Sequence, residues 1–230
     1  MNERLGYLLG EAVNSLRNQN SIAAELFLNQ AFKLDPNSVD VLRLLGILEA
    51  QRKNFDKALA LFRRAFKNAP KNALLASNIG NIYLEQKHLK KALDFYEQAI
   101  SLDRNYAEAY SNKGNVLQEL NKYSEAIASY DQAIQLDPMD AKVYVNKGNA
   151  FLEVGQLESA IQSYDDAIRL RPDHYLAYWH KSLALLLSGR LEEGFSLYES
   201  RWGSGQEFEF SGVRRGFTQT LWLGDEPLKD

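Results

Sequence analysis

Three pairs of asparagines recur at one spacing: Asn78 with Asn81, Asn112 with Asn115, and Asn146 with Asn149, each pair 34 residues after the one before. A carboxamide carries a donor and an acceptor together, so one side chain can meet both the C=O and the N–H of a peptide unit in an extended chain. Residues three apart share a helix face, and asparagine costs roughly 0.5 kcal/mol against alanine in a helix interior. Six of them on one face therefore need a reason. One is a ladder that grips a polypeptide through its backbone; the other is a hydrated face, or bonds to neighbouring loops and helices. Asn81, Asn115 and Asn149 lie closer to the seam between helices, where the second reading is stronger. Glu85, Glu119 and Glu153 keep the same period and either favour basic ligands or form solvated surface near a helix end. Lys113, Lys147 and Lys181 read as structural, with stems covering apolar surface and amines reaching water. At 180 the ladder position becomes His180, beside Trp179, which is an aromatic anchor, a packing site for the tail, or a core residue.

No catalytic set emerges. His88, His174 and His180 fall at unrelated places in the period, without metal-ligand spacing or a glycine-rich phosphate loop after a strand. The aspartates and glutamates recur as surface and turn residues and do not converge as a catalytic pair would. There is no cysteine, which removes disulfides, thiolate zinc sites and thiol nucleophiles and suits a reducing compartment. The expectation is a chain that is not itself an enzyme and uses no cofactor or metal. A net charge of −3 gives no broad footprint for a polyanion, so nucleic acid and acidic membrane are not expected partners. Met1-Asn2-Glu3-Arg4-Leu5 lacks the charged and then apolar run of a signal peptide, and no stretch of about 18 apolar residues occurs. A cytoplasmic protein is expected.

The elements that would position the asparagines follow from the same period. Leu34-Asp35-Pro36, Asn68-Ala69-Pro70, Leu102-Asp103-Arg104, Leu136-Asp137-Pro138 and Leu170-Arg171-Pro172 are spaced by 34 residues. Proline ends a helix, because it lacks the amide hydrogen and drives the preceding residue out of helical geometry; at Arg104 the Leu-Asp before it predicts the same bend with less stiffness. Counting back gives units at 5–38, 39–72, 73–106, 107–140 and 141–174, with a degenerate sixth at 175–202. Position eight carries Gly46, Gly80, Gly114 and Gly148, with Ala12 and Ser182 at the ends, and position twenty carries Ala24, Ala58, Ala92, Ala126 and Ala160. Opposite stand Leu28, Phe62, Tyr96, Tyr130, Tyr164 and Tyr198 at position twenty-four, then Ala31, Ala65, Ala99, Ala133 and Ala167. Small beside large at fixed offsets predicts two closely packed helices per unit.

This pattern resembles the tetratricopeptide repeat (TPR) family over roughly residues 5 to 202. The resemblance implies an all-α fold, a right-handed superhelical solenoid of helix-turn-helix units, whose first helices line a concave groove that binds proteins. Packed helices lie about 10 Å apart and an extended chain advances about 3.3 Å per residue, so the ladder would hold a peptide at roughly every third residue. In the first two units the ladder positions hold Gly10 and Val13, then Leu44 and Ile47, an apolar end where a hydrophobic peptide end or a second copy of the chain could dock. The carboxylate clamp of chaperone-tail adaptors fits poorly: its places hold Asn81, Asn112, Lys142, Ser77 and Asn146, two cations short. The stretches Leu191 to Trp202 and Arg215 to Leu228 look like the junction between such repeats and a bacterial glycosyltransferase domain, and the ladder is similar to that of O-GlcNAc transferases. Those resemblances imply the substrate- or partner-recognition region of a larger glycosyltransferase, or else a free-standing, self-associating adaptor. Residues 203–230 form a non-repeat tail that packs on the last unit or leads to a further domain; Trp202 and the tail's Phe208, Phe210, Phe217, Leu221 and Trp222 are expected to fold over the last unit, since an array end needs a polar cap.

Overall fold

The computed structural model describes residues 2–203. Twelve α-helices and no strand occur among them: α1 Asn2–Arg17, α2 Ser21–Leu34, α3 Val39–Gln51, α4 Phe55–Asn68, α5 Ala73–Glu85, α6 Leu89–Leu102, α7 Ala107–Glu119, α8 Tyr123–Leu136, α9 Ala141–Glu153, α10 Leu157–Leu170, α11 Tyr175–Leu187 and α12 Leu191–Gly203. None of the described helices is long and apolar enough to cross a membrane. Each odd-numbered helix packs on the even-numbered helix that follows, and each even-numbered helix on the next unit. Odd-numbered helices also touch across units, α5 with α7 and α7 with α9. They therefore line the inner curve of an all-α solenoid.

The fixed offsets become contacts. A Cβ built on Gly46 would lie 2.6 Å from the ring of Phe62, and one on Gly80, Gly114 or Gly148 would lie 2.8, 2.5 or 2.5 Å from Tyr96, Tyr130 or Tyr164. Those rings are wholly buried or nearly so, so glycine is what allows the two helices of a unit to close. Unit one holds Ala12 against the slimmer Leu28, both buried. Unit six has Ser182, and there Tyr198 is only half-buried and lies against Trp179, ring centroids 5.1 Å apart.

Within every unit the turn has one construction. Gln19, Lys53, Lys87, Asn121, Gly155 and Gly189 all have φ between 55° and 83°, and the next residue's N–H reaches back to a carbonyl five residues earlier, as in His88 to Tyr83 and Lys122 to Leu117. This left-handed cap closes the first helix. Between units the bend keeps one extended geometry with or without an aspartate, φ being −137° at Ala69 and −144° at Arg171. Asp35, Asp103 and Asp137 share extended φ values of −146°, −141° and −134°, and each carboxylate accepts the N–H two residues on. Arg104 thus sits in the same turn as Pro36 and Pro138. The expected packing of Trp202, Phe208, Phe210, Phe217, Leu221 and Trp222 lies outside the described side chains.

Candidate functional site

The asparagine pairs stand on the inner helices α5, α7 and α9 and are bonded to one another from unit to unit. Tyr96 donates its hydroxyl to Asn81 Oδ1 at 2.6 Å, and Asn112 Nδ2 donates to the same oxygen at 3.3 Å. One unit on, Tyr130 and Asn146 both donate to Asn115 Oδ1, each at 2.9 Å, and Tyr130 also reaches Gln118 Oε1 at 3.0 Å. Tyr164 donates to Asn149 Oδ1 at 2.8 Å. Burial pushes all three phenols upward in pKa, aided at Tyr96 by Glu108 and Glu85 and at Tyr164 by Glu153, so they remain donors across the physiological range.

The two members of each pair therefore have different work. Asn81, Asn115 and Asn149 accept bonds that satisfy buried hydroxyls, which is the seam role. Asn112 and Asn146 use one N–H internally, and among the described residues no hydrogen bond occupies their Oδ1. Asn78 differs. Its Nδ2 is buried with no partner, because the residue in register one unit back is Ile47, which cannot accept, and the aromatic above Ile47 is Phe62, which has no hydroxyl. The network stops where its acceptor stops.

At the other end His180 takes the register of Asn112 and Asn146. Its ring meets Tyr164 edge-on with centroids 5.7 Å apart, and its Nδ1 is buried without a partner. Burial, and then the neighbouring His174, lower the pKa of His180. The neutral imidazole is the native form, so this side chain's contribution to stability is complete above the unfolded value of about 6.5 and is lost as pH falls below it through the folded pKa. The urea midpoint of the wild type should drop more between pH 7.5 and pH 5.5 than that of His180→Asn, which removes the titrating group and restores a donor toward Asn149. Parallel drops would show that His180 is not the group responsible. Trp179 packs on Tyr198 of α12.

The glutamates are also unequal. All three are exposed, but Lys87 Nζ lies 3.1 and 3.0 Å from the two oxygens of Glu119, an ion pair across units, whereas Glu85 and Glu153 take no ion pair among the described residues. Lys113, Lys147 and Lys181 each pair with an acid of the preceding unit: Glu97 at 2.8 Å, Asp131 at 2.6 Å and Asp165 at 2.5 Å. Expected only to shield the core, these lysines also bridge each unit to the one before it. At the apolar end of the array Leu44 is buried in the core with Leu48 and Leu28, whereas Val13 and Ile47 are only partly buried against that cluster and Gly10 is exposed; the first two inner helices touch each other there.

A cavity of about 560 Å³ opens on the concave side, lined by Leu84, Asn115, Gln118, Glu119, Tyr123, Asn146 and Glu153. Gln118, Tyr123 and Leu84 carry no signal in the sequence, because the period places leucine at 84 and 152 where Gln118 stands; Lys87 has a counterpart in Lys53, but the period does not show that it reaches Glu119. The bonds between Tyr96 and Asn81 and between Asn112 and Asn81 were accessible as constant offsets of 15 and 31 residues. One consequence is measurable. Asn81→Ala leaves the buried Tyr96 hydroxyl without an acceptor and should cost about 1–3 kcal/mol, whereas Asn115→Ala leaves Tyr130 its bond to Gln118 and should cost less. Tyr96→Phe in the Asn81→Ala background should recover part of the loss in urea denaturation; full additivity would contradict the bond's role.

Four family models match the chain, described as TPR repeat or tetratricopeptide repeat, at residues 40–105, 95–128, 114–155 and 145–202. A search of curated proteins found no match. Among solved structures, PilW, a widely conserved type IV pilus biogenesis factor, is 17% identical with a TM-score of 0.78, over 87% of this chain and 93% of that one. The protein pilF of Pseudomonas aeruginosa is 19% identical with a TM-score of 0.77, over 89% and 94%. YrrB, a TPR protein with an unusual peptide-binding site, is 18% identical with a TM-score of 0.62, over 76% and 91%. At these identities the likeness is one of fold. With the glycine-to-aromatic closure and the helix pairs, the overlapping matches from residue 40 to 202 place this chain in the tetratricopeptide repeat family.

Proposed function

We propose that this chain is a protein-interaction scaffold whose concave face, along α5, α7 and α9, binds a polypeptide in extended conformation. The observation that carries this reading is the cavity walled by the amides of Asn115, Gln118 and Asn146, beside ladder oxygens that no internal bond occupies. A backbone N–H of the ligand donates to Oδ1 of Asn112 or Asn146, and a ligand C=O accepts the second N–H of the same amide. The mechanism is equilibrium binding, with little demand on ligand sequence at the ladder itself. YrrB, which has this fold and a peptide-binding site, accords with it. Of the glutamate stripe, Glu85 and Glu153, which take no ion pair among the described residues, would bias the groove against acidic ligands, and Glu119 less so because Lys87 pairs with it. The test is retention of random peptides by the immobilised chain and their loss when Asn78, Asn112 and Asn146 are all replaced by alanine.

The resemblance of residues 191–202 and 215–228 to a repeat–glycosyltransferase junction supports a narrower context, in which the groove selects the acceptor or partner of a glycosyltransferase. Reading the gene beyond the codon for Asp230 tests it: a Rossmann-like glycosyltransferase half supports the context, and its absence leaves a free-standing adaptor.

A further inference from the structure

Glu119 and Glu153 occupy the same place in successive units and line the same cavity, but among the described residues only Glu119 of the two has a cation. That cation comes from Lys87, which lies in the left-handed turn of the preceding unit and spans both carboxylate oxygens. The residue in register for Glu153 is Asn121, in the same backbone conformation with φ 58°. It carries no charge, and its Oδ1 is occupied by the Tyr123 hydroxyl at 2.8 Å. The molecule thus displays, one unit away, the chemistry that the Glu153 carboxylate is placed to accept. Around Glu153 the cavity adds the Gln118 and Asn115 amides and the Tyr123 ring, with Leu84 as apolar wall. That lining suits a long aliphatic stem ending in a cation. Glu85, which has Lys53 in register, lies outside the cavity.

We propose that this cavity takes a lysine or arginine side chain of the bound polypeptide, with Glu153 as the recognising carboxylate and the Lys87–Glu119 pair as its internally satisfied counterpart. The inference rests on the groove reading above and adds side-chain selectivity to it. An anionic side chain would meet Glu153 without compensation, and a neutral one would leave the carboxylate unpaired.

A library of random decapeptides selected on the immobilised full chain provides the test, with helicity checked by circular dichroism for every variant. The wild type should enrich a basic residue at one fixed place in the aligned peptides, by about fivefold over neutral residues, the scale of an exposed ion pair. Glu153→Gln should erase that preference while peptides are still retained. Asn121→Lys should erase it too, by supplying the cation from within, and the turn already accommodates lysine at Lys87. Lys87→Asn should add a second basic preference about three residues from the first, one helix spacing along an extended chain. Peptides enriched without a basic preference, or with the same preference in Glu153→Gln, would overturn this inference and leave the groove reading standing. Retention of no peptide at all would overturn both.

Discussion

Gly114→Ala should destabilise the array by about 2 kcal/mol, whereas Gly10→Ala should stabilise it by up to about 1 kcal/mol. In a helix interior alanine is the better residue by about 1 kcal/mol, so only a steric term can reverse the sign. At Gly114 a Cβ would lie 2.5, 2.7 and 2.9 Å from three atoms of the Tyr130 ring. That ring has nowhere to go, being fully buried and tethered through its hydroxyl to Asn115 and Gln118. At Gly10 a Cβ would meet nothing within 4 Å. The chain supplies its own control, for unit one pairs Ala12 with Leu28 and buries both. Tyr130→Leu should accordingly cost less in the Gly114→Ala background than in the wild type. Urea denaturation of the four variants, followed by circular dichroism, gives the signs and the coupling. A Gly114→Ala protein as stable as the wild type would mean that the ring moves freely and that the closure argument fails.

The fold was legible because its rules recur. Glycine at position eight, an aromatic at twenty-four and a turn after thirty-four each appear several times, and every recurrence repeats the same steric requirement. Features that do not recur were less visible. At Arg104 the absence of proline gives no sign that the carboxylate of Asp103 holds the Asn105 amide just as Asp35 holds Asn37. Leu44 looked like groove lining because its register matches Asn78, but an apolar side chain at that register is drawn into the core. For the asparagines helical spacing sets Asn81, Asn115 and Asn149 nearer the seam, without saying what holds them there. That depends on the tyrosine hydroxyls above them, and the chain shows the dependence by losing both together, Phe62 over Ile47 where Tyr96 lies over Asn81. The Lys113, Lys147 and Lys181 bridges were hidden for another reason: a lysine has the same sequence signature whether solvated or paired, and only the neighbouring helix decides.

The division of labour within the pairs makes the ligand reading separable from stability. Replacing Asn78, Asn112 and Asn146 together by alanine should weaken peptide binding by about 1 kcal/mol for each hydrogen bond lost, and by roughly 100-fold in Kd if two to three bonds go. The fold should not suffer. With Asn112 gone, Asn81 Oδ1 keeps the Tyr96 hydroxyl, and with Asn146 gone, Asn115 Oδ1 keeps that of Tyr130. Removing Asn78 deletes a buried N–H that has no partner, and alanine is the better helix residue at all three places. Melting should therefore be unchanged or slightly higher, while titration with a library-selected peptide shows the loss. Of the single variants, Asn78→Ala should matter least for binding, since its Nδ2 faces inward and only its oxygen can serve a ligand. Asn81→Ala would be the wrong probe, because it orphans the Tyr96 hydroxyl and confounds binding with folding. If the triple variant binds the peptide as tightly as the wild type, the ladder's open oxygens play no part in recognition, and its only function is to join one repeat to the next.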